Sequence, residues 1–181
     1  MSKPDSAEAA PASCGDSAAG ALPFLAALRG CIGEQRAAGR NLAVLLIECG
    51  VIGRIDAVWG YHVGDAVRAR VAAALRADVL RPDDLVGDMG RDDIACVLAP
   101  VDGPAVALLA AEKSLRALNS PFWIGEEEIF AGPAIGIAMC PAHGDEAESL
   151  LQRAKSACVV ARSGADQMSF IAGGPPFQPR Q

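Results

Sequence analysis

A chain of 181 residues has the length of one domain with short tails, and 51% hydrophobic residues are enough to build a core even though aromatics make up only 4%. The net charge of −6, from 16 Lys and Arg against 22 Asp and Glu with no basic cluster, argues against a general nucleic-acid or anionic-membrane surface. No run approaches the ~20 apolar residues of a membrane span, and the opening stretch lacks the apolar centre of a signal peptide, so a cytoplasmic location is expected.

Residues 1–19 are small and polar without periodicity and are expected to be a disordered leader. Leu22, Leu25, Leu28 and Ile32 recur near helical spacing and predict a helix from Ala21 to Ala38 that Gly39 ends. The apolar run Leu42 to Ile47 predicts a buried central strand. Ile52, Ile55 and Trp59 then form one face of a short helix stopped by Gly60. Val63, Val67, Val71 and Leu75 repeat every four residues and predict a longer helix to about Leu80.

Two apolar runs, Leu85 to Met89 and Ile94 to Leu98, flank Gly90-Arg91 and predict a tight antiparallel hairpin. A helix over Gly103 to Leu118 is broken by Asn119-Ser120-Pro121. Phe122-Trp123-Ile124, the turn residues Gly125-Glu126 and the run from Ile129 to Met139 read as a small hairpin leading into a second core strand. Asp145 is expected to cap a helix over Glu146 to Arg162, with an edge strand at Met168 to Ile171 and a Pro-rich tail or linker at residues 173–181. This order predicts an α/β domain with a mixed central sheet of about five strands and helices on both faces. The six cysteines form no C-x-x-C pair, which suits buried reduced thiols. Cys140 and His143 stand at C-x-x-H spacing without a second ligand pair, so no zinc site is expected.

Gly90-Arg91-Asp92-Asp93-Ile94 resembles a degenerate form of the Gly-Gly-Asp/Glu-Glu-Phe signature of the GGDEF family of diguanylate cyclases, which join two GTP molecules into cyclic di-GMP. The flanking order supports the resemblance: Leu45-Leu46-Ile47-Glu48, Gly136-Ile137-Ala138…Pro141, and Leu150-Leu151-Gln152-Arg153-Ala154 against the family's Leu-Leu…Ala-Asp. It implies a GGDEF-like domain over residues 20–172 with its core at residues 41–171.

By that resemblance, Glu48 and Asp92 stand at the metal positions and Asp93 at the position that activates the attacking ribose hydroxyl. Asp56 and Asp65 align with the guanine-recognising positions, though an ionised Asp56 offers no donor where the family has an amide. Arg162 preserves one phosphate-holding cation. Arg81-Pro82-Asp83-Asp84 meets the spacing of the family's inhibitory cyclic di-GMP site, the alternative being a turn with a solvated Arg81.

Several departures oppose catalysis. Glu48 is a methylene longer than the family's Asp, and Asp93 a methylene shorter than its Glu. Gly50 replaces a second Asp, and Val51-Ile52-Gly53 lacks the usual lysine. Arg91 replaces the second signature glycine and is expected to lie across the nucleotide site. A single well-placed cation can change phosphoryl transfer by roughly 10³-fold, and one of three expected basic residues remains. The expected function is a non-catalytic nucleotide-sensing or protein-interaction module in cyclic di-GMP signalling, with cyclic di-GMP, GTP or a protein as partner and Mg²⁺ only where nucleotide is bound. The alternatives are a weak cyclase working as a head-to-head homodimer, and a regulatory fragment of a GGDEF–EAL phosphodiesterase.

Overall fold

The computed structural model describes residues 19–163 and 169–171. Residues 1–18, 164–168 and 172–181, which take in the expected tail and all of the expected leader but Ala19, lie outside the described residues. Thirteen elements follow in chain order: β1 (Ala19–Gly20), α1 (Ala21–Ala37), β2 (Asn41–Cys49), α2 (Ile52–Trp59), α3 (Tyr61–Asp78), β3 (Leu85–Gly90), β4 (Asp93–Val101), α4 (Pro104–Leu118), β5 (Phe122–Ile124), β6 (Glu127–Ile129), β7 (Pro133–Cys140), α5 (Ala147–Ser163) and β8 (Ser169–Ile171). None of these helices is long and apolar enough to cross a membrane.

The main sheet runs β1-β3-β4-β2-β7-β8, and β5-β6 form a separate hairpin. Five strands were expected; the sixth is the two-residue β1, parallel to β3 at the edge. At the centre, β2 is antiparallel to β4 on one side and to β7 on the other. Both faces of β2 are buried, which is why its sequence is a continuous apolar run rather than an alternation. Ala43, Leu45 and Ile47 face α2, α3 and α4 through Ile52, Ile55, Val67, Val71, Leu75 and Ala111. Leu42, Val44 and Leu46 face α1 and α5 through Phe24, Leu28, Ile32, Leu150 and Ala154. Helices thus cover both faces of a mixed sheet.

Two local expectations are corrected and a third is met. In α1 the inward face is Phe24, Leu28 and Ile32, while Leu22 is 80% exposed. The cause is Gly87 on β3, where a Cβ would stand 2.4 Å from the Phe24 ring, so the ring fills the space that glycine leaves. The expected small hairpin leading into a second core strand is present as β5-β6 followed by β7, and Gly132 between them takes φ +55°, which side chains resist. Asp145 pairs its carboxylate with Arg36 of α1, and α5 begins two residues later at Ala147.

The hairpin is displaced by one residue from the glycine-first loop expected. Gly90 is itself paired, with Asp93, after an irregularity in register beyond Asp88, and the two-residue tip is Arg91-Asp92. Arg91 adopts φ +53°, a left-handed backbone that costs a residue with a side chain about 1 kcal/mol. Among the cysteines, Cys49, Cys96, Cys140 and Cys158 are buried and free and Cys31 is half-buried and free. Burial pushes the thiols of Cys49 and Cys96 up to about 12.

Candidate functional site

The signature tip lies against the C-terminal end of β2 because the strands are in register there. Glu48 of β2 sits directly opposite Asp93 of β4, and the Cys49 N–H donates to the Asp92 carbonyl at 2.8 Å. Of the three carboxylates expected at one place, Glu48 and Asp93 are therefore brought face to face, with Asp92 on the adjacent tip residue. Carboxylates directly opposite in a ladder repel, and such a pair needs a cation.

Lys155 of α5 supplies it. Its Nζ lies 3.0 Å from Glu48 Oε2 and 2.8 Å from both oxygens of Asp93. Glu48 and Asp93 side chains are only 18% and 22% exposed, so these charge-assisted bonds are partly shielded from water. Burial lowers the Lys155 pKa, but the hydrogen bonds and charges of Asp93 and Glu48 outweigh it, and the net direction is up. A raised lysine contributes its stability fully below the ordinary lysine range and loses it only as pH rises through the raised value.

Arg162, two turns further along the same face of α5, closes the other side of Glu48. Its Nε is 2.9 Å from Glu48 Oε1, and its Nη2 donates to the Glu48 carbonyl at 2.9 Å. The guanidinium rests against Gly50, where a Cβ would meet Nη1 at 3.2 Å. Asp92 turns the other way, and its Oδ1 accepts from the Gly53 N–H at 2.6 Å. Gly50 and Gly53, the positions expected to lack a carboxylate and a lysine, thus leave room for Arg162 and for Asp92.

Behind the tip, Arg68 of α3 is a second hub. Its Nη2 lies 2.6 Å from Asp56 Oδ2 and its Nη1 3.0 Å from Asp65 Oδ1, with Asp88 Oδ2 at 3.8 Å from Nε. Nη2 also donates to the Arg91 carbonyl at 3.0 Å, which fixes the strained tip. The Arg68 and Asp56 side chains are 10% and 12% exposed. Burial lowers the Arg68 pKa, yet Asp56, Asp88 and Asp65 raise it more, so the guanidinium stays charged. Asp56 fits this closely because residue 64 is glycine; a Cβ there would stand 1.7 Å from Asp56 Oδ1. The structure brings Asp56 and Asp65 together onto this arginine. Arg91 is exposed, and its carbonyl is the part held in place.

Arg81 and Asp84 also meet. Arg81 Nε and Nη2 reach Asp84 Oδ2 and Oδ1 at 3.1 and 2.9 Å, and Asp84 further accepts from the N–H groups of Arg81 and Ala99. The Asp84 side chain is 1% exposed, so its carboxylate staples the turn to β4 and Arg81 remains half-exposed above it. His143 is part of a turn, its Nδ1 accepting from the Met139 N–H at 2.9 Å. Among the described residues no group of three metal-ligating side chains is assembled with ligand geometry.

The Mg²⁺ implied by the resemblance does not fit these residues. Both oxygens of Glu48 and both of Asp93 are already paired with Lys155 or Arg162, so a divalent ion would displace an ammonium or lie beside it. Sequence reasoning missed Lys155 and Arg68. The Asp65-Arg68 spacing of three on a helix was a signal for one of them. For Lys155 the signal was a reversed charge, since the residue after Ala154 is basic where the resembled motif reads Ala-Asp.

Comparison with known proteins agrees with this architecture. The family model described as "Diguanylate cyclase, GGDEF domain" matches residues 24–167. The chain is 33% identical over 126 residues to the diguanylate cyclase TpbB of Pseudomonas aeruginosa, covering 69% of this chain and 29% of that protein. It is 30% identical over 128 residues to the response regulator PleD of Caulobacter vibrioides, covering 69% and 28%. The chain therefore spans less than a third of either relative. Among solved structures, the GGDEF domain of TpbB (YfiN) from Pseudomonas aeruginosa superposes with a TM-score of 0.79 at 28% identity, over 88% of this chain and 99% of that one. A sensory box/GGDEF family protein from Caulobacter crescentus gives 0.72 at 27% identity, over 80% and 94%. With the family model covering most of the chain and the same sheet carrying the signature tip, this chain belongs to the GGDEF domain family.

Proposed function

We propose that this chain is a non-catalytic GGDEF domain acting in cyclic di-GMP signalling, as a nucleotide-sensing or protein-interaction module. The observation that carries the reading is the mutual pairing of the site's charges. Phosphoryl transfer needs cations directed at the transferred group and carboxylates open to metal. Here Lys155 and Arg162 are directed at Glu48 and Asp93, and Arg68 at Asp56 and Asp65. Inactivity on this account resides in the paired charges more than in the signature letters. Arg91→Gly combined with Asp93→Glu should therefore recover at most traces of cyclic di-GMP from GTP and Mg²⁺, measured by chromatography. Substantial cyclisation by that double variant would defeat the reading.

A weakly active diguanylate cyclase is the second reading, supported by the similarity to TpbB, which is named as one. It would require a head-to-head homodimer with GTP and Mg²⁺ in each half. The similarity to the bifunctional cyclase/phosphodiesterase MucR of Pseudomonas aeruginosa, 29% identical over 123 residues, also suits a regulatory part of a longer GGDEF–EAL protein. Within the leading reading, cyclic di-GMP reaching Arg81 would have to draw it away from Asp84. Calorimetric titration separates the branches: micromolar binding that Arg81→Ala abolishes supports sensing there, and no binding leaves protein interaction.

A further inference from the structure

Glu48 and Asp93 form a cross-strand pair of like charge, and a single ammonium bridges them with three contacts of 2.8 to 3.0 Å. The bridge is not a chance surface contact of a long side chain. Lys155 is one residue along α5 from Ala154, whose carbonyl lies so close to Gly136 of β7 that a Cβ there would approach it to 1.9 Å. The helix backbone is thus seated directly on the sheet, and the lysine stem has a fixed origin. Arg162 holds the opposite oxygen of Glu48, and Asp92 is drawn off to the Gly53 N–H.

We propose that the Lys155 ammonium is the resident cation of this chain, occupying the place between Glu48 and Asp93 that a divalent ion would need and closing the carboxylates to Mg²⁺ and Mn²⁺. Removing the ammonium leaves the facing carboxylates of Glu48 and Asp93, hard oxygen donors that suit such ions. Divalent binding is therefore latent in the fold and suppressed chiefly by Lys155, since Arg162 holds only the opposite oxygen of Glu48. The probe is metal alone, so failure of this inference is distinguishable from failure of the proposed function, which is read with nucleotide.

The experiment compares the chelator-treated wild type with Lys155→Met, which keeps the aliphatic stem, and with Lys155→Gln. Free Mn²⁺ is followed by its electron paramagnetic resonance signal, and thermal unfolding is recorded with and without millimolar Mg²⁺. The wild type should leave the Mn²⁺ signal and its own melting temperature unchanged. Each variant should bind Mn²⁺ at least about tenfold more tightly than wild type and melt higher when Mg²⁺ is added. A variant that folds only when Mg²⁺ is present gives the same support. Micromolar Mn²⁺ binding by the wild type would overturn the proposal, as would folded variants that bind no better than wild type.

Discussion

Arg68→Ala is expected to lower the stability of the domain by about 3 kcal/mol, at the lower end of what removing one partner of a buried ion pair costs because the two side chains keep 10% and 12% of their exposure. Asp56 would be left 12% exposed with its main partner gone, and the carbonyl of the left-handed Arg91 would lose its donor. For a domain of this size that is a fall of roughly 9 °C in melting temperature. Asp56→Asn in the same background should recover part of the loss, because it removes the uncompensated charge, and the two changes should fail to add by roughly 1 kcal/mol or more. Urea unfolding of the four proteins measures this. A loss below about 1 kcal/mol for Arg68→Ala would mean that the hub is an ordinary surface pair.

Gly136→Ala is expected to cost about 3 kcal/mol, although the substitution adds a single methyl group. The new Cβ would stand 1.9 Å from the Ala154 carbonyl and 2.4 Å from the Cys158 nitrogen, both backbone atoms of α5, so the helix must move. Lys155 and Arg162 ride on that helix, and their bonds to Glu48 and Asp93 would lengthen with it. The control is Gly30→Ala on the exposed side of α1, where nothing lies within 4 Å and the helix should gain up to about 1 kcal/mol. Equal unfolding midpoints for Gly136→Ala and wild type would show that α5 is not seated as described.

What was readable beforehand follows from how far apart the interacting residues are. The apolar run of β2 between two glycines announced a strand buried on both faces, and the four-residue repeat of Val63, Val67, Val71 and Leu75 announced α3. The inward face of α1 was misread because Leu22 and Phe24 are equally apolar in sequence, and only the gap at Gly87 on a distant strand selects Phe24. The hairpin tip moved by one residue for a similar reason. Its conformation is set by Arg68 on the Arg91 carbonyl and by the Cys49 N–H on the Asp92 carbonyl, partners that no local turn template contains.

The candidate site divides in the same way. Glu48, Asp92 and Asp93 could be grouped from the resemblance, and strand register sets Glu48 opposite Asp93 while Asp92 turns to the Gly53 N–H. The cations that neutralise them could not be, since Lys155 lies 107 residues from Glu48 and 62 from Asp93. A count of basic residues at the expected positions registered a deficit. The structure shows instead that positive charge is present and directed inward, onto the domain's own carboxylates.

The most direct test of that account is turnover by the unaltered chain. Purified protein at high concentration, with saturating GTP and Mg²⁺, should yield no cyclic di-GMP above a protein-free control over hours of incubation. Steady accumulation of product in proportion to protein, abolished by Asp93→Ala, would contradict it and would make the chain a working cyclase whose paired charges open on binding substrate.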